Sequence, residues 1–253
     1  MTRQIELFGM KINAVKMAEV LSQLQQWMAD ADGKCRYVVT PNTDHAVMYQ
    51  EDHRLRDAYA DADLVLADGF PVVLAAKLLR RPLPGRVCGS DLVPALFKAT
   101  GGERPLRAFL LGAAPGVAER ARENVHERWP AVQIVGTYSP PLGFEKDDAE
   151  NEKILKLVAD ARPDVLVVGL GAPKQELWVH RFHQQIEAPV ALCVGATIDF
   201  LAGEKARAPV WMRRTGLEWL HRCLSEPKRL ARRYARDAFV FPKLVWREWR
   251  TTA

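Results

Sequence analysis

An aspartate directly after an apolar run is the first residue whose chemistry needs an explanation. The stretch LVLADGF, residues 64–70, passes from residues typical of a buried strand into Asp68 and a glycine. A carboxylate beside a buried run costs free energy unless it is solvated, paired or used in chemistry. Two interpretations of Asp68 follow: a residue that caps an Asp-Gly turn, or a reactive carboxylate that faces a cleft.

A second stretch, VVGLGAPKQE, has the residue types of an anion-binding site. Gly169 and Gly171 allow the backbone to approach a ligand closely, and Lys174 and Gln175 begin a predicted helix whose N-terminus favours negative charge. Lys174 stands where the dinucleotide-binding fingerprint has its third glycine, and the segment is not a P-loop either. By itself, this motif indicates phosphate binding only weakly.

The elements that position these residues follow from hydrophobic periodicity. Apolar, β-branched segments predict strands at 5–10, 37–40, 64–67, 108–112, 132–138, 165–171 and 190–197. The clearest helical patterns between them span 15–29, 115–129, 149–161 and 174–186. This alternation predicts an α/β fold, with a Rossmann-like, largely parallel sheet covered by helices on both faces.

Polar or glycine-rich residues follow four of the predicted strands. Thr40 ends the strand at 37–40 and Asn42 lies in the turn after it. Asp68 follows the strand at 64–67, and two further turns follow the strands at 165–171 and 190–197. Ligands of parallel α/β sheets bind outside the carboxyl ends of the strands, so these groups are predicted to line one cleft.

The chain changes character after Gly203, and we predict a domain boundary near residue 208. An α/β domain would span residues 1–208, and a basic, Trp-rich helical appendage would span residues 209–253. Three prolines are predicted to break the helical spacing of the appendage: Pro209, Pro227 and Pro242.

Charge and aromatic content single out the same appendage. Residues 212–253 hold eleven Lys and Arg against four acids, a net charge of +7 in a chain whose total is +5. Arg and Lys beside Trp and Phe on short helices are typical of contact with an anionic membrane surface. A solvated basic face is the alternative, and no recognition motif favours nucleic acid. The apolar residues also leave a subunit contact and homo-oligomerisation open.

Cysteine usage and the N-terminus predict a cytoplasmic protein. The four cysteines are scattered without a Cys-x-x-Cys pair, which is typical of reduced thiols. The first residues lack the apolar segment of a secretory signal, and no uncharged apolar run reaches the length of a membrane span.

Metal-ligand patterns are poor, so we predict no metal and no cofactor. Asp61 and Asp63 form an Asp-x-Asp pair, but the pair precedes its strand and would lie at the wrong edge of the sheet. Glu176, His180 and His183 share one helical face without the further ligands that zinc requires. We interpret that face as solvated.

Several motifs together resemble the WecG/TagA/CpsF family of bacterial glycosyltransferases, glycosyltransferase family 26. They are TPNTDH, ADADLVLADGFPVV, RVCGSDL, LGAPKQE, VGATIDFLAG and RAPVWMRRTGLEWLHRCLSEPKRLARRY, and the resemblance extends from about residue 5 to 249. It implies transfer of a sugar from a UDP-sugar to an undecaprenyl-diphosphate-linked sugar, peripherally on the inner face of the cell membrane. It also implies inversion at the anomeric carbon without a required metal. N-acetylmannosamine, its uronic acid and glucose are all transferred by relatives, and no residue here chooses among them.

The resemblance also implies roles for individual residues. Asp68 matches the proposed general base of the family, and we predict Asp68, Arg86 and Gln175 as the catalytic residues. Residues that match the lining of the cleft are Thr40, Asn42, Arg86 and Gln175. Arg222, Arg229 and Arg232 match arginines that close over the diphosphate, and Tyr138 and Asp199 match positions near the nucleoside. Displacement at an anomeric carbon needs a base for the acceptor hydroxyl and cations or helix dipoles for the departing diphosphate, for which Arg86 and the helix at Lys174 are candidates.

Two other classes of protein remain open at this point. An oxidoreductase or other nucleotide-cofactor enzyme on a Rossmann-like sheet would bind NAD(P), although the missing third glycine argues against it. A non-catalytic membrane adaptor would use the appendage alone, and its core would not bind UDP. Fold by itself decides neither alternative.

Overall fold

The computed structural model describes residues 3–30, 32–101, 104–225 and 227–252; of Arg214, Arg222, residues 227–232 and Thr252 it describes the backbone only. The strands are β1 Gln4–Leu7, β2 Met10–Asn13, β3 Arg36–Val39, β4 Leu64–Val65, β5 Leu106–Gly112, β6 Val132–Tyr138, β7 Val165–Gly169 and β8 Val190–Cys193. The α-helices are α1 Met17–Ala29, α2 Thr43–Glu51, α3 His53–Ala60, α4 Phe70–Leu78, α5 Gly89–Ala99, α6 Val117–Arg128, α7 Asp148–Ala161, α8 Lys174–Phe182, α9 Thr197–Leu201, α10 Val210–Thr215, α11 Glu218–Ser225 and α12 Pro227–Thr252. A 3₁₀ turn, Phe144–Lys146, precedes α7.

The main sheet has six strands in the order β4-β3-β8-β7-β5-β6, and every pair is parallel. This confirms the predicted α/β fold. The chain passes from β5 outward to β6, but from β7 it passes in the opposite direction to β8. A crevice therefore opens at the carboxyl edge between β5 and β7, which is where such sheets bind ligands.

Helices bury both faces of the sheet, so its central strands are apolar on both sides. Val165, Leu166, Val167 and Val168 of β7 are all fully buried. One face packs against α1, α5, α6 and α9, whereas the other packs against α2, α3, α4, α7, α8 and the β1–β2 pair. Continuous β-branched and leucine runs are the expected sequence of such doubly covered strands.

The single strand predicted at 5–10 is wrong. The segment turns back on itself, and β1 pairs with β2 in antiparallel register, with Leu7 opposite Met10. The two residues between them, Phe8 and Gly9, have φ values of 55° and 82°. Positive φ at both positions is typical of a two-residue hairpin turn. Phe8 is not a residue that normally signals such a turn, so the sequence pattern did not predict the hairpin.

The appendage is helical as predicted, but the break at Pro242 is wrong. Pro209 precedes α10 and Pro227 begins α12, whereas Pro242 lies inside α12. The adjacent Phe241 is buried and packs edge-on against Phe8, with the ring centroids 5.2 Å apart. This tertiary contact offsets the backbone hydrogen bond that the proline removes. Within the described ranges, no helix is long and apolar enough to cross a membrane.

Candidate active site

A cleft of about 440 Å³ opens at the carboxyl edge of the sheet. Loops that follow all six strands of the main sheet contribute to it. The residues predicted from the sequence that line it are Thr40, Asn42, Asp68, Gly169, Gly171, Lys174, Gln175 and Asp199. The parallel strands thus bring together groups that are up to 159 positions apart in the chain.

Asp68 lies between this cleft and a smaller pocket of about 110 Å³, and it lines both. It follows β4 after two buried residues, and its backbone N–H donates to the carbonyl of Pro41 at 2.8 Å. Gly69 then adopts φ 103° and serves as the N-cap of α4. The carboxylate is therefore held on a fixed segment between two cavities.

A buried hydrogen-bond network underlies the cleft and joins the ends of β3, β7 and β8. The His45 ring contacts Asn42 Oδ1 through Nδ1 at 2.9 Å and Glu176 Oε1 through Nε2 at 3.1 Å. Gln175 Nε2 donates to the same Glu176 oxygen at 2.8 Å, and the Gly195 N–H donates to Gln175 Oε1 at 3.1 Å. Gln175 thus uses both ends of its amide to hold the loops that line the cleft.

The protonation state of His45 follows from this network. Burial acts to lower the pKa of His45, but the hydrogen bond and negative charge of Glu176 outweigh burial, with smaller contributions from Asp44 and Asp68. The net pKa is raised, which favours the imidazolium, in which both ring N–H groups donate. The solvated face predicted for α8 is wrong at Glu176, which is 0% exposed because it pairs with His45.

The other members of that predicted helical face have protein partners of their own. His180 Nδ1 lies 3.7 Å from Asp61 Oδ2, and His183 Nδ1 contacts the His180 carbonyl at 2.7 Å. Among the described residues, no group of three or more His, Cys, Asp or Glu side chains is arranged to hold a metal ion.

Thr40 and the two glycines shape the floor of the cleft. Thr40 Oγ1 donates to the Cys193 carbonyl at 3.0 Å and so ties β3 to β8. A Cβ on Gly169 would come within 2.8 Å of the Gly195 carbonyl oxygen, so glycine is required there by packing of the protein itself. Gly171, at φ 80°, has no neighbour that a Cβ would meet among the described residues, and it faces open space.

Among the side chains that the structure describes, three cations line the cleft, and each also contacts a carboxylate. Lys174 Nζ lies 3.3 Å from Glu145, Lys205 Nζ lies 3.0 Å from Asp199, and Arg233 Nη1 lies 3.5 Å from Asp44. Their positive charge, together with the N-terminus of α8, suits a bound diphosphate.

Arg86 is placed in the smaller pocket rather than in the main cleft. Its guanidinium donates to Glu218 Oε2 at 2.8 Å and to Asp91 Oδ2 at 3.0 Å. Burial acts to lower the pKa of Arg86, but Cys88, Glu218 and Asp68 raise it further than burial lowers it. Arg86 therefore fixes α11 beside Asp68 and stays charged.

Tyr138 is not among the residues that line the cleft. Its hydroxyl donates to Glu150 of α7, and Lys153 Nζ donates to the hydroxyl at 2.5 Å. These two hydrogen bonds hold the ring against α7. Arg222 lies on α11, and Arg229 and Arg232 lie on α12, but their side chains fall outside the described part of the structure.

Five lining or underlying residues were missed by sequence reasoning. They are Asp44, His45, Glu176, Lys205 and Arg233. Asp44 and His45 belong to the TPNTDH motif beside Asn42, and this proximity was the available signal. The family resemblance pointed to other arginines of α12, but which of its side chains reach the cleft depends on how α12 packs on α2.

Comparison with known proteins gives a consistent result. The sequence model of the glycosyl transferase WecG/TagA/CpsF family matches residues 5–253. The chain is 29% identical over 244 residues to an N-acetylglucosaminyldiphosphoundecaprenol N-acetyl-beta-D-mannosaminyltransferase of Staphylococcus aureus strain MW2, covering 95% of this chain and 92% of that relative. A relative of the same name from strain NCTC 8325 / PS 47 matches with the same identity and coverage.

Proposed function

Because the chain belongs to the WecG/TagA/CpsF family of glycosyl transferases, we propose that it moves N-acetylmannosamine from a UDP-sugar to a lipid-diphosphate-linked N-acetylglucosamine, with inversion and without a metal. The sugar and the acceptor are inferred from the names of the similar staphylococcal proteins. The UDP donor and the inversion are proposed from the family resemblance and from the geometry around Asp68.

The observation that carries the proposal is the position of Asp68 between two cavities of unequal size. The main cleft, at about 440 Å³, lies within the range of pockets that hold ligands of nucleotide size. The smaller pocket, at about 110 Å³, suits no more than a single sugar ring. A donor in the first and an acceptor in the second would meet at Asp68.

Each step of the proposed transfer has a candidate group. Asp68 takes the proton of the attacking acceptor hydroxyl. The hydroxyl oxygen forms its bond to the anomeric carbon from the face opposite the diphosphate, and the bond to UDP breaks with inversion. Lys174, Lys205, Arg233 and the N-terminus of α8 stabilise the charge that develops on the departing diphosphate. Gln175 and His45 keep the lining loops in place and make no direct contact with substrate in this scheme.

The test is UDP release by the purified protein with UDP-N-acetylmannosamine and a short-chain polyprenyl-diphosphate N-acetylglucosamine, with EDTA present. We expect turnover that Asp68→Asn lowers by about 10²- to 10⁴-fold, the usual contribution of a general base. The matched control is Asp160→Asn, an exposed aspartate on α7. Absence of UDP binding by the wild-type protein, or dependence of turnover on a metal, would reject the corresponding part of the proposal.

We also propose that an apolar surface beside the smaller pocket contacts the membrane that holds the acceptor. A groove of about 550 Å³ runs between α4 and α12, and Pro71 lines both this groove and the smaller pocket. Its exposed residues include Leu74, Leu78, Trp246 and Trp249, of which Leu78 is 60% exposed. The sequence pointed to residues 209–253 for this contact, and α4 is an addition to that surface.

Basic side chains accompany the apolar surface on α12. Arg250 lies over the Trp246 ring at 4.9 Å, and Lys243 lies over the Phe239 ring at 5.4 Å. Cations beside aromatic rings can keep their charge at the headgroups of anionic lipids while the rings enter the interface.

Vesicle flotation tests the membrane contact. We expect the protein to bind phosphatidylglycerol-containing vesicles. Trp246→Glu should weaken that binding by about tenfold or more, since an exposed aromatic side chain that would enter the interface is replaced by a charge. Lys156→Glu on α7 removes more positive charge outside this surface and should have a smaller effect. Equal loss in the two variants would reject the apolar contact.

A further inference from the structure

The smaller pocket contains a buried carboxylate that the proposed reaction leaves unexplained. Asp237 of α12 lines this pocket together with Asp68. Asp237 is only 4% exposed, yet neither of its side-chain oxygens has a hydrogen-bond partner among the described residues. Buried carboxylates normally accept several hydrogen bonds, so an arrangement of this kind indicates that a donor group is missing.

The two neighbouring arginines whose side chains are described do not supply that donor. Arg236 donates to Asp44 Oδ1 at 2.7 Å, and Arg233 lies 3.5 Å from Asp44 Oδ2. Arg236 Nε is 3.7 Å from Asp237 Oδ1, which is too long for a hydrogen bond. Arg236 is thus bonded to Asp44 and Arg233 lies beside it, and neither arginine makes a hydrogen bond to Asp237.

The surroundings of Asp237 suit a sugar rather than an ion. Trp219 and Tyr234 line the same pocket, and their rings meet edge-to-face with the centroids 6.4 Å apart. Aromatic side chains offer apolar area to the face of a sugar ring, and a carboxylate accepts hydrogen bonds from the hydroxyl groups of the sugar. A second carboxylate, Asp68, makes the pocket unfavourable for an anion such as the departing diphosphate.

We propose that Asp237 is an acceptor-binding residue, which accepts a hydrogen bond from a hydroxyl group of the acceptor sugar next to the one that Asp68 deprotonates. This inference rests on the proposed function and deepens it. It assigns two tasks to two carboxylates of one pocket: Asp68 removes a proton, and Asp237 selects and orients the ring. Sites that hydrogen-bond a substrate hydroxyl discriminate strongly against analogues that lack it.

The experiment measures the KM for the acceptor and the KM for the donor separately. It compares the wild type with Asp237→Asn and with the surface control Asp160→Asn. We expect Asp237→Asn to raise the acceptor KM by about 10- to 100-fold, the range for a hydrogen bond to a charged group. The KM for UDP-N-acetylmannosamine should change less than twofold. An equal rise in both KM values, or an unchanged acceptor KM, would overturn the inference.

Deoxy acceptors make the assignment specific. One analogue, lacking the hydroxyl that Asp237 binds, should be a poor acceptor for the wild type, and Asp237→Asn should lose no further activity with it. Additive losses with every analogue would overturn the inference.

Calorimetric binding of the short-chain acceptor separates this inference from the proposed function. If the wild type binds the acceptor but releases no UDP, the proposed function fails, and the affinity of Asp237→Asn still decides the role of Asp237. If the wild type does not bind the acceptor, the inference fails. Thermal unfolding of each variant checks that it is folded.

Discussion

The imidazole Nε2 of His45 lies 3.1 Å from Oε1 of Glu176, and this pair joins the first turn of α2 to the first turn of α8 beneath the cleft. His45 is 7% exposed and Glu176 is fully buried. Because Asn42, Gln175 and Gly195 are attached to the same network, the shape of the cleft depends on two ionisable side chains, of which His45 lines the cleft and Glu176 lies beneath it.

Glu176→Gln should destabilise the protein by about 3–5 kcal/mol near pH 6, the usual effect of removing one member of a buried ion pair. The folded-state pKa of His45 is raised, so its contribution to stability is fully present below the unfolded pKa of about 6.5 and is lost as pH rises through the folded pKa. The difference in unfolding free energy should therefore shrink at high pH. Denaturant unfolding at pH 6 and at pH 9 measures it, and a pH-independent difference would contradict the pairing.

Asp237→Asn should become increasingly stabilising as pH rises from about 4 to 7. Burial, followed by the nearby charge of Asp44, raises the pKa of Asp237 to about 6. Because this folded-state pKa exceeds the unfolded value, the wild type loses stability as Asp237 ionises, and the amide variant does not. The gain should reach roughly 1–3 kcal/mol, as measured by thermal unfolding across this pH range. A variant that is less stable than the wild type at pH 7 would show that the carboxylate is structural.

Phe241→Ala should destabilise the protein by about 3–5 kcal/mol, since it removes a buried ring from the contact between α12 and Phe8. The control is Phe239→Ala, two residues away on the same helix and 74% exposed, which should change stability by less than about 0.5 kcal/mol. Chemical denaturation gives both values. Similar effects of the two variants would mean that α12 does not pack on the α/β core in solution.

Arg86→Lys should lower kcat by roughly 10²-fold, because a lysine cannot make the two separate contacts to Glu218 and Asp91. Glu218→Ala should lower kcat by less than about tenfold, because it removes the contact that holds α11 but leaves the Arg86 cation beside Asp68. Comparison of the two variants separates a direct role of the guanidinium from its role in holding α11. Equal losses would assign Arg86 to holding α11 alone.

The sequence by itself determined the fold class and most of the cleft. Alternating strand and helix patterns require a parallel sheet, and a parallel sheet places every strand end at one edge. Asp68, Thr40, Asn42, Gly171 and the residues that begin α8 were therefore predictable as neighbours, although they are far apart in the chain. Local periodicity carries this information because each strand and helix buries its own apolar residues.

Only the tertiary structure decided which of these groups face a ligand and which hold the protein together. The side chain of Gln175 is bound at both ends, Glu176 is buried against His45, and Tyr138 is held on α7. None of these outcomes is local, since each depends on a partner from another element. The two-residue hairpin at Phe8 and the continuity of α12 through Pro242 have the same origin: packing across the fold outweighed the local preference of one residue. Asp237 shows most clearly what the sequence could not predict. It is an acidic residue on a basic helix, and only the packing of α12 on α2 places it in the same pocket as Asp68.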